Sequence, residues 1–225
     1  INEGEPVDLS KRSKDFLFIK SQTPDHIFAA IAALVLNKLP GYLGVDPFDI
    51  QIMTPQRKGA LGVERLNQLL QEQMNPKSSR KTEKEIGGTL FRVGDKVMQK
   101  RNDYDKGVYN GDVGIVWSVT EKRIAVSFYD REVVYEKEER NDLQLAYATT
   151  VHKSQGSEYD TVILVLLPTQ RMMLKRNLLY TGITRAKKTT YLITTEEALA
   201  KAVDTVETGR RYSLFFPLLT GETEG

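Results

Sequence analysis

The run Thr161-Val162-Ile163-Leu164-Val165-Leu166 constrains the fold more than any other stretch of this 225-residue chain. Without alternation it offers no polar face to solvent. A strand of that kind is covered on both sides, as in a parallel sheet flanked by helices. The flanking regions agree. Phe16-Leu17-Phe18-Ile19 and Ile50-Gln51-Ile52-Met53 are short apolar runs, and each is followed by a helical pattern. Thr23-Pro24-Asp25 is a helix start with proline in the first turn, and Ile27, Ile31, Leu34 and Val35 follow at helical spacing. Pro40-Gly41 is expected to stop that helix. Val63 to Gln73 is helical, with Leu66, Leu69 and Leu70 on one face. Later, Arg176 to Ala186 reads as a helix, Thr190 to Thr194 as a strand, and Glu196 to Val206 as a helix behind a threonine cap. Strand and helix alternating in this way mark an α/β domain.

The middle of the chain obeys a different period. Residues 74 to 90 open with Asn75-Pro76-Lys77-Ser78-Ser79-Arg80-Lys81, which reads as an exposed linker or mobile loop. From Phe91 to about Leu145 the period is two, with strands expected at Val93–Met98, Val113–Val119, Arg123–Tyr129 and Glu132–Tyr135. Asn110-Gly111 and Tyr129-Asp130 supply turns. Short strands with close turns suggest a small β-barrel. The expected organisation is therefore an α/β domain over 1–85 and 146–225, with a β module inserted over 86–145.

Composition removes several kinds of chemistry. The chain has no cysteine and only two histidines, which excludes disulfide frameworks, zinc ribbons, iron–sulfur clusters and cysteine nucleophiles. No metal ligands are expected in this chain. No apolar run suggests a membrane span and no leader pattern is visible, so no membrane partner and a cytoplasmic setting are expected. Ile1 in place of methionine suggests a fragment or a processed product. Net charge is only +2, but Thr161 to Thr195 holds six basic residues and no acidic one. That segment suits a polyanion, or it is a solvated basic face. The β module carries ten basic and ten acidic residues from Arg92 to Arg140 and gives no such signal.

Three polar segments sit where an α/β sheet presents chemistry. Thr54-Pro55-Gln56-Arg57-Lys58-Gly59 follows a strand and precedes a helix, where a basic pair could hold phosphate, or be a solvated loop. Ala148 to Asp160 crowds hydroxyls, His152, Gly156 and Glu158 before the core strand. Hydroxyls and backbone amides bind phosphodiester oxygens, and a carboxylate accepts from ribose. Leu178 to Lys188 carries Arg185, whose planar, permanently charged fork suits a developing phosphoryl charge.

The second and third segments together resemble motifs V and VI of superfamily 1 helicases: Val151-His152-Lys153-Ser154-Gln155-Gly156-Ser157-Glu158 and Tyr180-Thr181-Gly182-Ile183-Thr184-Arg185-Ala186-Lys187. Thr54 to Gln71 and the β module are similar to parts of the RecD-type branch, related to the exodeoxyribonuclease V alpha chain. The resemblance covers about Asp15 to Thr195. It implies a RecA-like parallel sheet with helices on both faces and an inserted SH3-like barrel. It implies an ATP-dependent DNA helicase moving 5′ to 3′ in repair or recombination. Arg185 would be the arginine finger. Gln155 and Gly156 would lie near the nucleotide phosphates and Glu158 near the ribose. Arg57 or Lys58 would add a phosphate contact. Thr150 and His152, with Thr149, would touch single-stranded DNA. No Gly-x-x-x-x-Gly-Lys-Ser/Thr loop occurs in the chain. The main grip on ATP and Mg2+ is therefore expected in an N-terminal RecA-like domain, and this chain alone is expected to lack ATPase activity. Other subunits of a helicase–nuclease complex are further partners under this resemblance. The competing expectation is a non-catalytic module that binds single-stranded nucleic acid or a protein.

Overall fold

The computed structural model describes residues 13–206. Five parallel strands build the main sheet: β1 (Phe16–Lys20), β2 (Ile50–Thr54), β10 (Ala148–Thr150), β11 (Tyr159–Val165) and β12 (Ala186–Thr194). Their order is β1-β12-β11-β2-β10, so the apolar run lies at the centre and β10 at an edge. Alternate residues of β11 point to opposite faces. Ile163 and Val165 pack with α1 (Pro24–Ala33) and α3 (Val63–Met74), in a core containing Ile27, Ile31, Leu66 and Leu70. Val162 and Leu164 pack with α4 (Arg176–Ile183) and α5 (Glu196–Asp204), through Leu178, Leu179, Leu199 and Val203. Helices on both faces explain why the strand needs no polar residue.

Local caps stand where the sequence places them. The Thr23 hydroxyl accepts from His26 N–H at the start of α1, and Thr195 does the same for Ala198 N–H at α5. The first helix does not stop at Pro40-Gly41. A π-helical turn, Leu34–Lys38, leads into α2 (Leu39–Leu43), and Pro40 falls in the first turn of α2, where a missing N–H costs little. The true end is Gly44, at φ 66°. Pro24–Leu43 thus forms one helical stretch of 20 residues, apolar enough by length and composition to cross a membrane, which the sequence reading overlooked. Here Ile27, Ile31, Val35 and Leu39 are buried in the core of the sheet.

Between α3 and β10 the chain makes an antiparallel module. A hairpin, β3 (Glu83–Ile86) and β4 (Thr89–Arg92), precedes a five-stranded sheet of order β8-β7-β6-β5-β9. The sheet strands are β5 (Lys96–Gln99), β6 (Val113–Val119), β7 (Arg123–Phe128), β8 (Arg131–Glu136) and β9 (Leu143–Leu145). Two expectations need correction. The expected strand Val93–Met98 is broken by a turn, in which Asp95 N–H bonds Arg92 O. The expected linker is exposed at Pro76, Lys77, Ser79 and Arg80 as read, but its first residue, Asn75, is buried because its amide finds partners in the fold, and its last part forms the hairpin.

Those partners fix the module to α3. The Asp95 carboxylate is fully buried and accepts four hydrogen bonds, from Gln71 Nε2 (2.6 Å), Asn75 Nδ2 (2.7 Å), Arg92 N (2.6 Å) and Tyr147 Oη (2.8 Å). Burial pushes its pKa up, and the four donors oppose that shift. Only an acceptor on both oxygens satisfies four donors, and a carboxylate is that group. Asn67 completes the join. Its amide donates to Leu145 O and Ala148 O and accepts from Ala148 N, where the module returns to the sheet. Arg92, also buried, bonds the Asn75 carbonyl and pairs with Glu72 (3.0 Å) and Glu83 (2.8 Å).

Candidate nucleotide and nucleic-acid interface

The three polar segments gather at two ends of the parallel sheet. At the carboxyl ends of β2 and β10, which pair through Thr54 and Thr150, lie the loop bearing Arg57 and the turn bearing His152. At the amino ends of β11 and β12, where Tyr159 pairs with Ala186, lie Gly156, Glu158 and Arg185. Residues 151–158 connect the two ends, because β10 and β11 run parallel without a helix between them.

At the first end, the loop after β2 folds back on the start of α3. Val63 N–H bonds Gln56 O and Glu64 N–H bonds Arg57 O. The sequence reading offered this helix N-terminus as a phosphate holder. Those two amides are already satisfied, so the side chains are what remains. Arg57 is exposed and pairs with Glu64 at 3.1 Å, and Lys58 is exposed with no ion pair among the described residues. The structure does not bring this pair to Arg185, since β2 separates the two ends.

Of the three residues the resemblance assigns to DNA, Thr149 is 1% exposed. In register with Met53, it faces into the sheet core, and its hydroxyl has no partner among the described residues. It is not accessible to a strand in this conformation. Thr150 is half-buried, and its hydroxyl oxygen accepts from Lys153 N–H at 3.2 Å. Its own O–H therefore remains to donate. His152 and Gln155 are exposed and line a cavity of about 80 Å³ with Asn177 and Thr181 of α4. Ser154, fully buried, ties the turn together by donating to Val151 O at 2.8 Å. Gly156 turns the chain at φ 87°.

At the second end, three links stitch the segments together. Arg185 Nη1 donates to Ser157 O at 3.2 Å, Tyr159 N–H donates to Arg185 O at 2.9 Å, and Lys187 lies 3.4 Å from Glu158. Arg185 Nε is buried without a partner among the described residues. A guanidinium with an orphaned donor is under-satisfied where it rests, and a stronger acceptor would draw it out. Burial raises the Tyr159 pKa, while Ser157 and the nearby Arg185 charge oppose that shift. Gly182 makes the approach of α4 possible: a Cβ there would lie 2.9 Å from Leu164 Cδ2. Among the described residues no His, Cys, Asp and Glu cluster is arranged for a metal.

Among the aromatics of the β module, Phe128 and Tyr135 are buried, whereas Trp117 and Tyr129 are exposed. Tyr104 and Tyr109, which no sequence pattern singles out, are exposed and meet edge to face at 6.0 Å. Their loop lacks alternation, so no periodic signal marked them.

Comparison with known proteins places the modules of the chain in a family. Residues 66–128 match the SH3 domain of ATP-dependent RecD-like DNA helicases, and residues 145–193 match the UvrD-like helicase C-terminal domain. The chain is similar to the ATP-dependent RecD2 DNA helicase of Deinococcus radiodurans, 41% identical over 69% of the chain and 21% of that protein. It is also similar to the RecBCD enzyme subunit RecD of Buchnera aphidicola subsp. Schizaphis graminum, 30% identical over 68% of the chain and 26% of that protein. The chain thus spans about a quarter or less of these relatives. In fold it resembles the Pif1 helicase from Bacteroides crystallised with ADP-AlF3 and single-stranded DNA, with a TM-score of 0.52 and 22% identity over 90% of the chain and 51% of that structure. With a RecA-like sheet covered on both faces and an SH3 module between α3 and β10, this chain belongs to the RecD-type superfamily 1 DNA helicases and corresponds to their C-terminal region.

Proposed function

We propose that the chain is the second motor half of an ATP-dependent DNA helicase, working 5′ to 3′ in repair or recombination against an N-terminal RecA-like domain of the same protein. The observation that carries this reading is the division of labour along residues 150–158: Thr150 and His152 at one sheet end, Glu158 and the Arg185–Ser157 bond at the other. When bound, ATP with Mg2+ supplies the phosphoryl group whose hydrolysis drives the cycle. Arg185 is the finger. On domain closure it leaves the Ser157 carbonyl, satisfies its orphaned donor and stabilises charge on the γ-phosphate oxygens. Gln155 and Gly156 sit beside the phosphates, and Glu158 exchanges Lys187 for the ribose hydroxyls. Thr150 donates its free O–H to a backbone phosphate, and His152 adds a second contact. The phosphate loop and the Mg2+ ligands come from the N-terminal domain. Because half a constellation is far less than half as active, the isolated chain is ATPase-silent. The RecD relationship makes further subunits of a helicase–nuclease complex natural partners.

DNA-stimulated ATP hydrolysis, measured on the isolated chain and on the full-length protein that carries it, tests this reading. A silent chain and an active full-length protein support it. Hydrolysis by the chain alone, or none by the full-length protein, contradicts it.

A further inference from the structure

Three neighbouring strands of the parallel sheet begin at one end, and the residue before each is charged. Arg185 precedes β12, Glu158 precedes β11 and Asp49 precedes β2. The strand order sets them side by side in that sequence, with neighbouring strands about 4.8 Å apart. Beyond Asp49 comes the SH3 module. Lys96 of β5 donates to the Phe48 carbonyl at 2.5 Å, which ties the 3-10 turn Pro47–Asp49 to the module. Here lies a cavity of about 360 Å³, lined by Val45, Phe48 and Asp49 ahead of β2, by Val113 of β6, and by Glu158.

The volume falls in the range of small-ligand sites, and the lining has their character, apolar side chains with a few polar groups. Its charge disfavours phosphate. Asp49, Glu158 and Asp160 all border the cavity and repel an anion placed in it. Lys187 offsets Glu158 at 3.4 Å and Lys188 offsets Asp160 at 2.7 Å, whereas Asp49 forms no ion pair among the described residues. The cation suited to phosphate stands on the other side of Glu158, at Arg185. Across this sheet end a guanidinium, a carboxylate and an apolar cavity therefore follow one another. Phosphate, ribose and base follow one another in the same order along a nucleotide.

We propose that the cavity is the subsite for the base of the nucleotide, with Val45, Phe48 and Val113 against the ring and the Asp49 carboxylate accepting from an amino group on its edge. This rests on the reading of Arg185 and Glu158 as nucleotide contacts, and extends it to residues outside the helicase motifs. Through Val113 the SH3 module itself supplies part of the nucleotide site.

The test is steady-state ATP hydrolysis by the full-length protein at saturating single-stranded DNA, with ribose 5-triphosphate as a competing ligand that has no base. Val113→Trp fills the cavity, and Asp49→Ala removes the acceptor. Lys137→Ala, exposed on the SH3 module and outside the cavity lining, is the control. Val113→Trp should raise KM for ATP about tenfold with kcat nearly unchanged, and leave inhibition by ribose 5-triphosphate at the wild-type level. Asp49→Ala should raise KM for ATP roughly threefold to tenfold, and have no effect on purine riboside triphosphate, which lacks the amino group. Lys137→Ala should match wild type throughout. Wild-type KM for ATP in both cavity variants overturns the subsite. So does a rise in KM matched by an equal loss of inhibition by ribose 5-triphosphate, which would mean that the whole sheet end is distorted. Asp49 is exposed, so its variant decides the matter if Val113→Trp does not fold. Arg185→Ala and Glu158→Gln, assayed alongside, separate the two readings. Wild-type kinetics in both refutes the nucleotide end and the subsite with it, whereas losses there beside normal cavity variants refute the subsite alone.

Discussion

The two ends of the parallel sheet are built on opposite principles. At the amino ends of β11 and β12, side chains are tied inward: Arg185 to Ser157 and Lys187 to Glu158. At the carboxyl ends of β2 and β10, charges are left outward, with Lys58, Lys100 and Lys153 unpaired by any acid among the described residues. An end that acts once per cycle benefits from a stored group released on demand. An end that must hold a polyanion at every step benefits from standing positive charge. One eight-residue segment, 151–158, joins them.

Arg185→Ala in the full-length protein should cut DNA-stimulated turnover by about a thousandfold, within the range of arginine fingers, with single-strand affinity nearly unchanged. Steady-state kinetics with a parallel binding titration measures both. The next effect concerns what holds the strand end in place. Asp95→Asn sets an amide N–H2 against two of four donors, and should destabilise the fold by about 3 kcal/mol. Thermal unfolding reads this, and a melting curve identical to wild type would show that the join to α3 does not depend on Asp95.

A smaller effect sharpens the strand end itself. Thr150→Ala should weaken single-strand binding by roughly tenfold, about 1.4 kcal/mol and near the low end for a hydrogen bond to a charged group, with little change in turnover at saturating DNA. The smallest effect lies at Lys96, outside both ends. Its ammonium is buried and bonds Phe48 O, and burial lowers its pKa to about 8. From about pH 8 up to the unfolded value of about 10.4 the unfolded chain binds the extra proton, so this group adds stability as pH rises. In Lys96→Met the difference in melting temperature between pH 7 and pH 9.5 should shift by a few degrees relative to wild type. Identical pH dependence in the two proteins would mean that Lys96 does not titrate in that range.

Much of this architecture was legible in the residues. Thr161–Leu166 announced a strand covered on both faces, and the threonines at 23 and 195 announced their caps, because these signals are local. The π-turn after Ala33 was not legible, since it depends on how the helix meets the sheet and not on Pro40 alone. Asn75 read as loop because its partners Asp95 and Val93 are distant in sequence. Within the site, motif order made Arg185, Gln155 and His152 visible. Nothing in the sequence distinguished buried Thr149 from half-buried Thr150, because β10 is too short to show alternation.

Turnover and single-strand affinity, measured on the same preparations of wild type, Arg185→Ala and Thr150→Ala/His152→Ala, show whether one loop separates a nucleotide end from a strand end. The expected pattern is crossed: Arg185→Ala loses turnover and keeps the strand, while the double variant loses the strand and, at saturating DNA, keeps most of its turnover. If both variants lost both properties together, or if Arg185→Ala turned over ATP at the wild-type rate, the division between the two ends would be wrong.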